Sequence, residues 1–255
     1  MKKLLKNKKA AGLLLSAALI IILVICAVIT ASHNSSFDKE NFFNTDKEYV
    51  EGIDVSSHNG EINWNSVAKS TEFAIIRVGY RGYGTGKIET DSMFEDNIKS
   101  ANKAKILAGV YFYSQALTPE EAVEEAKFVL DAIDGYNVDL PVFIDFEYAH
   151  GSDGELTGRL YEAKLSSAQS AEIINAFCKE IRDGGYYSGV YSSSSILNFS
   201  VKTSSLDDEI YVWVADYNKT VSYLGAYDIW QYSKKGQCDG VNSKYVDVNY
   251  WFTNS

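Results

Sequence analysis

Leu140 to Tyr148 reads LPVFIDFEY, an apolar run broken only at Asp145 and Glu147. Side chains two residues apart on a strand share a face, so both carboxylates leave this strand in one direction. The remaining positions are apolar on both faces, as a strand covered on both sides requires. Comparable runs lie on either side: YVEGIDVS (49–56), FAIIRVGY (73–80), ILAGVYFYS (106–114), YSGVYSS (187–193), EIYVWVADY (209–217), AYDIWQYS (226–233) and YVDVNYW (245–251). Helical patterns fill the gaps at 91–105, 118–134 and 166–184, the second opened by the N-cap and first-turn pair Thr118 and Pro119. The last three strands are too close together for full crossover helices. The spacing predicts an α/β protein, a parallel TIM-like barrel of eight strands with abbreviated closing segments. A doubly wound open sheet is the alternative.

In such barrels chemistry sits at the C-terminal ends of the strands. Four acids stand out among the polar residues of these runs: Asp54, Asp145, Glu147 and, in the last strand, Asp247. Carboxylates gathered in an apolar setting repel one another, so at least one keeps its proton, and the group can divide acid and base duties. A strand-end pair that solvates itself, or that bridges to Arg77, is the structural alternative for Asp145 and Glu147. Asp54 taken alone also reads as a cap or turn residue. Aromatics cluster at the same ends, Tyr111, Tyr113, Tyr148, Trp213, Tyr217, Trp230, Tyr232 and Trp251 among them. Their planes suit the apolar faces of sugar rings, although aromatics are common in strands for packing reasons alone.

Composition excludes several classes. The chain has 255 residues, 46% apolar, with 34 acidic and 24 basic side chains. Five of the lysines precede residue 10, so residues 32–255 hold 19 basic against 34 acidic groups. A body so acidic is a poor nucleic-acid binder, because that affinity rests on neutralising phosphates. Three cysteines make no disulfide framework: Cys26 falls in an apolar stretch, Cys178 reads as a small core residue and Cys238 as an unpaired loop thiol. GYRGYGTGK (79–87) lacks the spacing and the terminal Ser or Thr of a phosphate loop, and reads instead as a loop near the cleft. His58 and His150 read as loop residues.

Residues 10–31 (AAGLLLSAALIIILVICAVITA) carry no charge and follow the basic segment 1–9. As a helix they would be about 33 Å long, enough to cross a hydrocarbon core. The expectation is an uncleaved signal anchor with the body exported; a cleaved signal peptide and a secreted product form the alternative. Residues 32–48 are polar and aperiodic and read as a tether, ahead of a catalytic domain at 49–255.

GIDVSSHNGEINW (52–64), FAIIRVGYRGYGTG (73–86), ILAGVYFYSQA (106–116), PVFIDFE (141–147), YVWVADY (211–217), DIWQYS (228–233) and CDGVNSKYVDVN (238–249) together closely resemble the family 25 glycoside hydrolases, the Chalaropsis-type lysozymes. The resemblance implies a flattened barrel of eight strands and five helices. It implies cleavage of the β-1,4 bond between N-acetylmuramic acid and N-acetylglucosamine in peptidoglycan, with no metal or organic cofactor. By motif, Glu147 matches the family's general acid. Asp145 matches its partner, which acts on the substrate N-acetyl group or supports the water, and Asp54 and Asp247 match acids lining the centre. Asp216 matches no catalytic position. Arg77, Tyr111, Tyr113, Trp213, Tyr217, Trp230 and Gln231 are expected to line the glycan cleft. The implied partners are peptidoglycan strands, and the membrane through residues 10–31.

Overall fold

The computed structural model describes residues 39–253. The apolar stretch 10–31, read above as a membrane span, lies outside the described residues; among these, no helix is long and apolar enough to cross a membrane.

Eight strands close into a barrel: β1 (Tyr49–Val55), β2 (Phe73–Arg81), β4 (Leu107–Ser114), β5 (Val142–Phe146), β8 (Ser188–Ser193), β9 (Tyr211–Ala215), β10 (Ile229–Gly236) and β11 (Val246–Phe252). Closure is made by β1, which pairs with β2 on one side and β11 on the other, and this excludes the open sheet. Neighbours from β1 through β2, β4, β5, β8 and β9 to β10 are parallel, but β11 runs antiparallel to both β10 and β1. The all-parallel expectation is therefore corrected at the last strand. Residues 237–245 are too few for a crossover, whereas the 216–228 link suffices for a parallel return without a helix. Outside the barrel, β3 (Ile88–Thr90) folds back on β2, and β6 (Ala149–His150) pairs with β7 (Leu156–Thr157).

Three helices of substance cover the early strands: α2 (Phe94–Ala104), α3 (Pro119–Ile133) and α5 (Ser167–Asp183). Thr118 caps α3 by accepting from the Glu121 amide, and Ser166 with Gln169 forms a capping box on α5. Single turns or little more complete the set: α1 (Trp64–Val67), α4 (Arg159–Glu162) and α6 (Ser194–Phe199). The described residues thus hold six α-helices where the family resemblance implied five.

Alternation along each strand sorts residues into two cores. Ala74, Ile76 and Val78 of β2, with Val142, Ile144 and Phe146 of β5, face outward beneath the helices. Phe73, Ile75, Phe143, Tyr211, Trp213, Ile229 and Trp251 fill the lumen. Room for two of these rings comes from glycine: a Cβ on Gly52 would lie 2.3 Å from the Phe73 ring, and one on Gly189 2.3 Å from Phe143. The lumen is consequently a packed aromatic column, and inward residues beyond it emerge at the mouth.

Residues 39–48 are packed on the barrel, a departure from the tether assigned to 32–48. Phe43 is buried against Phe73 and Trp251, and Phe42 packs on Tyr187, Tyr211 and Trp251. Lys39 pairs with Asp228 at 2.6 Å, and Tyr211 donates to the Glu40 carbonyl at 3.2 Å. The strap covers the lumen's floor. Its polar, aperiodic composition conceals this, because two adjacent aromatics carry nearly all its burial.

Candidate active site

The alternation that fills the lumen also delivers the acids. Along β5 and the residue that follows it, Phe143, Asp145 and Glu147 succeed one another on the inner face, so the last aromatic of the column gives way to two carboxyls. Asp54 arrives near the C-terminal end of β1. Asp247 stands near the start of β11, and because that strand is reversed its beginning lies at the same mouth; the two are register partners. All four line a cleft of about 910 Å³.

Their environments differ. Asp54 Oδ2 accepts from Gln231 Nε2 and Asn249 Nδ2, both at 2.9 Å. Asp145 Oδ1 is buried and has no hydrogen-bond partner among the described residues. Burial pushes both carboxyls well above the ordinary range, Asp247 adding to this for Asp54 and Glu147 for Asp145. Burial likewise lifts Glu147 to about 7, with His150 and Lys234 opposing and Asp247 reinforcing. Asp247 rises to about 6 by burial, moderated by Lys234. Around neutrality the mouth therefore holds at least one proton on a carboxyl facing the cleft.

The expected cleft residues are placed unevenly. Arg77, Tyr111, Tyr113, Trp213 and Gln231 line the cavity. Arg77 does not bridge to the acid pair: it binds Asp91 through Nε and Nη2, each at 2.7 Å, and donates to Ser57 Oγ at 3.1 Å. Trp213 is only 1% exposed, so it presents little surface to a sugar, and its indole N–H is committed to Asn249. Gln231 is similarly occupied, accepting from Tyr191 at 3.0 Å and Tyr217 at 2.7 Å while donating to Asp54. Tyr217 stands beside the cleft through that bond, with Lys234 Nζ 5.3 Å from its ring centroid. Trp230 is not in the lining. One residue before inward-facing Gln231, it points the other way, packing on Tyr232 and Tyr250 and donating to the Asp216 carbonyl at 2.6 Å. Trp251 belongs to the floor.

Lining residues missed as site candidates are Tyr80, Tyr83, Tyr191 and Tyr245, and the histidines read as loop residues, His58 and His150, join them. Tyr83 lies in the loop of GYRGYGTGK, which does form a wall of the cleft; its carbonyl accepts from the Arg159 amide at 3.0 Å. Tyr191 had a legible signal, standing two residues beyond Gly189 on an inward-facing register. Tyr245, in a short link, had none. Cys178 and Cys238 are free thiols, as expected.

The profile of glycosyl hydrolases family 25 matches residues 53–241, most of the barrel and three of the four acids. The chain belongs to that family. Among its relatives, the autolytic lysozyme of Clostridium acetobutylicum is 25% identical over 198 residues, 76% of this chain and 53% of that protein. The modular autolysin LytC of Streptococcus pneumoniae, solved with a synthetic peptidoglycan ligand, superposes with a TM-score of 0.67 at 26% identity, over 80% of this chain and 47% of LytC. The bacterial lysozyme of Streptomyces coelicolor gives a TM-score of 0.61 at 26% identity, over 82% and 94% of the two chains. The chain thus spans about half the length of the first two relatives and nearly all of the third. Family 25 membership accounts for the closed barrel.

Proposed function

We propose that this chain is a peptidoglycan hydrolase, a muramidase cleaving the β-1,4 bond between N-acetylmuramic acid and N-acetylglucosamine. The observation that carries the reading is Glu147, a half-buried carboxyl gathered with Asp54, Asp145 and Asp247 in a cleft large enough for a glycan, where burial raises it to about 7. In this mechanism Glu147 donates its proton to the glycosidic oxygen as the bond to the anomeric carbon breaks. Asp145 meets the substrate's N-acetyl group, and Asp54 and Asp247 complete an electronegative floor beneath the sugar. Tyr80, Tyr83 and Tyr245 offer rings to neighbouring sugars along the cleft. Family membership and the peptidoglycan ligand bound by LytC support the substrate class.

We further propose, on sequence grounds, that the domain acts outside the cell in wall remodelling, held at the membrane by residues 10–31. Fractionation of cells expressing the full chain tests this: retention in washed membranes is expected, and a shortened protein in the medium overturns it.

Digestion of purified peptidoglycan, followed by mass spectrometry of the new reducing ends, tests the activity. Muramic acid ends are expected. Glucosamine ends would move the cleavage to the other bond, and tight binding without any product would make the domain a glycan-binding module instead.

A further inference from the structure

The two inner carboxyls, Asp54 and Asp145, are equally buried, yet the protein treats them differently. A chain of donors ends on Asp54. Trp213 Nε1 donates to Asn249 Oδ1 at 2.9 Å, and Asn249 Nδ2 donates to Asp54 Oδ2 at 2.9 Å. An indole nitrogen can only donate, so it fixes the Asn249 amide with its oxygen towards Trp213 and its NH₂ towards Asp54. Gln231 repeats the device. Its oxygen takes the Tyr191 and Tyr217 hydroxyls, and its NH₂ is left for the same Asp54 oxygen at 2.9 Å. Asp54 Oδ2 is therefore an acceptor twice over and carries no proton. Asp145 receives nothing comparable, and its Oδ1 is buried without a partner among the described residues.

We propose that Asn249 and Gln231 are positioning residues that make Asp54 the first of the two inner carboxyls to ionise and leave the resting proton on Asp145. Two N–H donors stabilise a carboxylate against its acid form, and a buried carboxyl with none is stabilised as the acid. The surrounding charges bear on both carboxyls. Asp247 of β11, Glu147 just beyond β5 and the hydroxyls of Tyr111, Tyr191 and Tyr217 face Asp54. Asp145 faces Glu147, Asp54 itself, Asp247, Tyr111, Tyr113 and Tyr191, with Arg77 of β2 as its cation; once Asp54 is ionised its charge holds the proton on Asp145. That guanidinium is already matched by Asp91 at 2.7 Å, which weakens its pull on Asp145. Lys234 of β10 acts on Glu147 and Asp247.

Resting on the hydrolase reading, the consequence for the reaction is a division of labour. The negative charge that meets the developing sugar cation belongs to Asp54, and Asp145 meets the substrate as a hydrogen-bond donor. Asn249 and Gln231 touch neither; they act through Asp54.

The test is a ¹³C-carboxyl NMR titration of the full chain labelled at aspartate, with Asp54→Asn and Asp145→Asn to assign the two resonances. Asp54 is expected to complete its titration at lower pH than Asp145; the reverse order, or a common midpoint, overturns the proposal. In Asn249→Leu the Asp54 midpoint is expected to rise by about one pH unit, the size of a lost charge-assisted donor. An unmoved midpoint also overturns it. Should Asn249→Leu fail to fold, Trp213→Phe keeps a ring in place and removes only the indole donor, with a smaller rise expected. The acidic limb of kcat/KM should follow the Asp54 midpoint upward in the same variants. If the wild-type chain cleaves no glycan, the muramidase reading fails while the titration order still decides the proposal.

Discussion

Asp145 at the barrel mouth and Asp216 behind β9 are each 5% exposed, and they have opposite characters. Asp216 is saturated. It accepts from Ser194 Oγ at 2.7 Å, from the Ser222 amide and hydroxyl at 2.8 and 2.6 Å, and from the Asn218 amide and side chain at 3.1 and 2.7 Å. Against the upward push of burial, these donors hold its carboxyl well below the ordinary value. Asp145 has burial and carboxylate neighbours instead, and is driven up. Equal exposure therefore does not make two acids alike; the donors around Asp216 set it apart from Asp145. Asp216 ties the 216–222 loop to α6, whereas Asp145 is left short of partners that a substrate can provide.

The largest effect that could break this contrast belongs to Glu147→Gln. An amide cannot donate the proton, so turnover is expected to fall about 10³-fold, within the range for general acids. Release of reducing ends measures it, and a melting temperature no lower than wild type shows that the fold survives. Next comes Asp216→Ala, expected to cost about 2 kcal/mol in urea unfolding because it strands the buried Ser194 hydroxyl and releases the Asn218 and Ser222 donors of the loop. If that variant kept full stability, the structural half of the comparison would fail.

Asp145→Asn is expected to go the other way. Replacing an unpartnered buried carboxyl with a neutral amide should leave stability unchanged or raise it by about 1 kcal/mol, while activity drops far less than in Glu147→Gln because the amide still donates. The smallest effects lie in pH dependence. Glu147 binds its proton more tightly in the folded chain than at the ordinary 4.5, so its contribution to stability is complete below that value and lost as pH rises through about 7. Asp216 has the opposite sign: its contribution is present above the ordinary 3.8 and is lost as pH falls through its lowered folded value. Unfolding curves for Glu147→Gln should therefore be flatter than wild type between about pH 4.5 and 7, and activity should decline above neutrality. A wild-type profile that rises through this window would sharpen the comparison against Glu147 as the acid.

The sequence by itself determined the eight strands, the three long helices and the placing of Asp145 and Glu147 on one face at a strand end. Those features rest on local periodicity: alternation places Phe143, Asp145 and Glu147 on one face whatever surrounds them, and caps such as Thr118 and Ser166 mark helix starts within a few bonds. Tertiary structure alone decided the reversal of β11, since a short link limits topology without revealing which edge the strand meets. It decided that Phe42 and Phe43 close the lumen's floor, because a two-residue aromatic signal has no period to read. It also decided that Trp230 faces away while its neighbour Gln231 faces in, a distinction one residue of register wide. The clearest case is the path from Trp213 through Asn249 to Asp54. These three residues are far apart in the chain, and their bonds exist only because β9, β11 and β1 turn their inner faces to a common lumen. Which carboxyl is fed by donors and which is starved of them is a property of barrel closure, and no spacing within one strand encodes it.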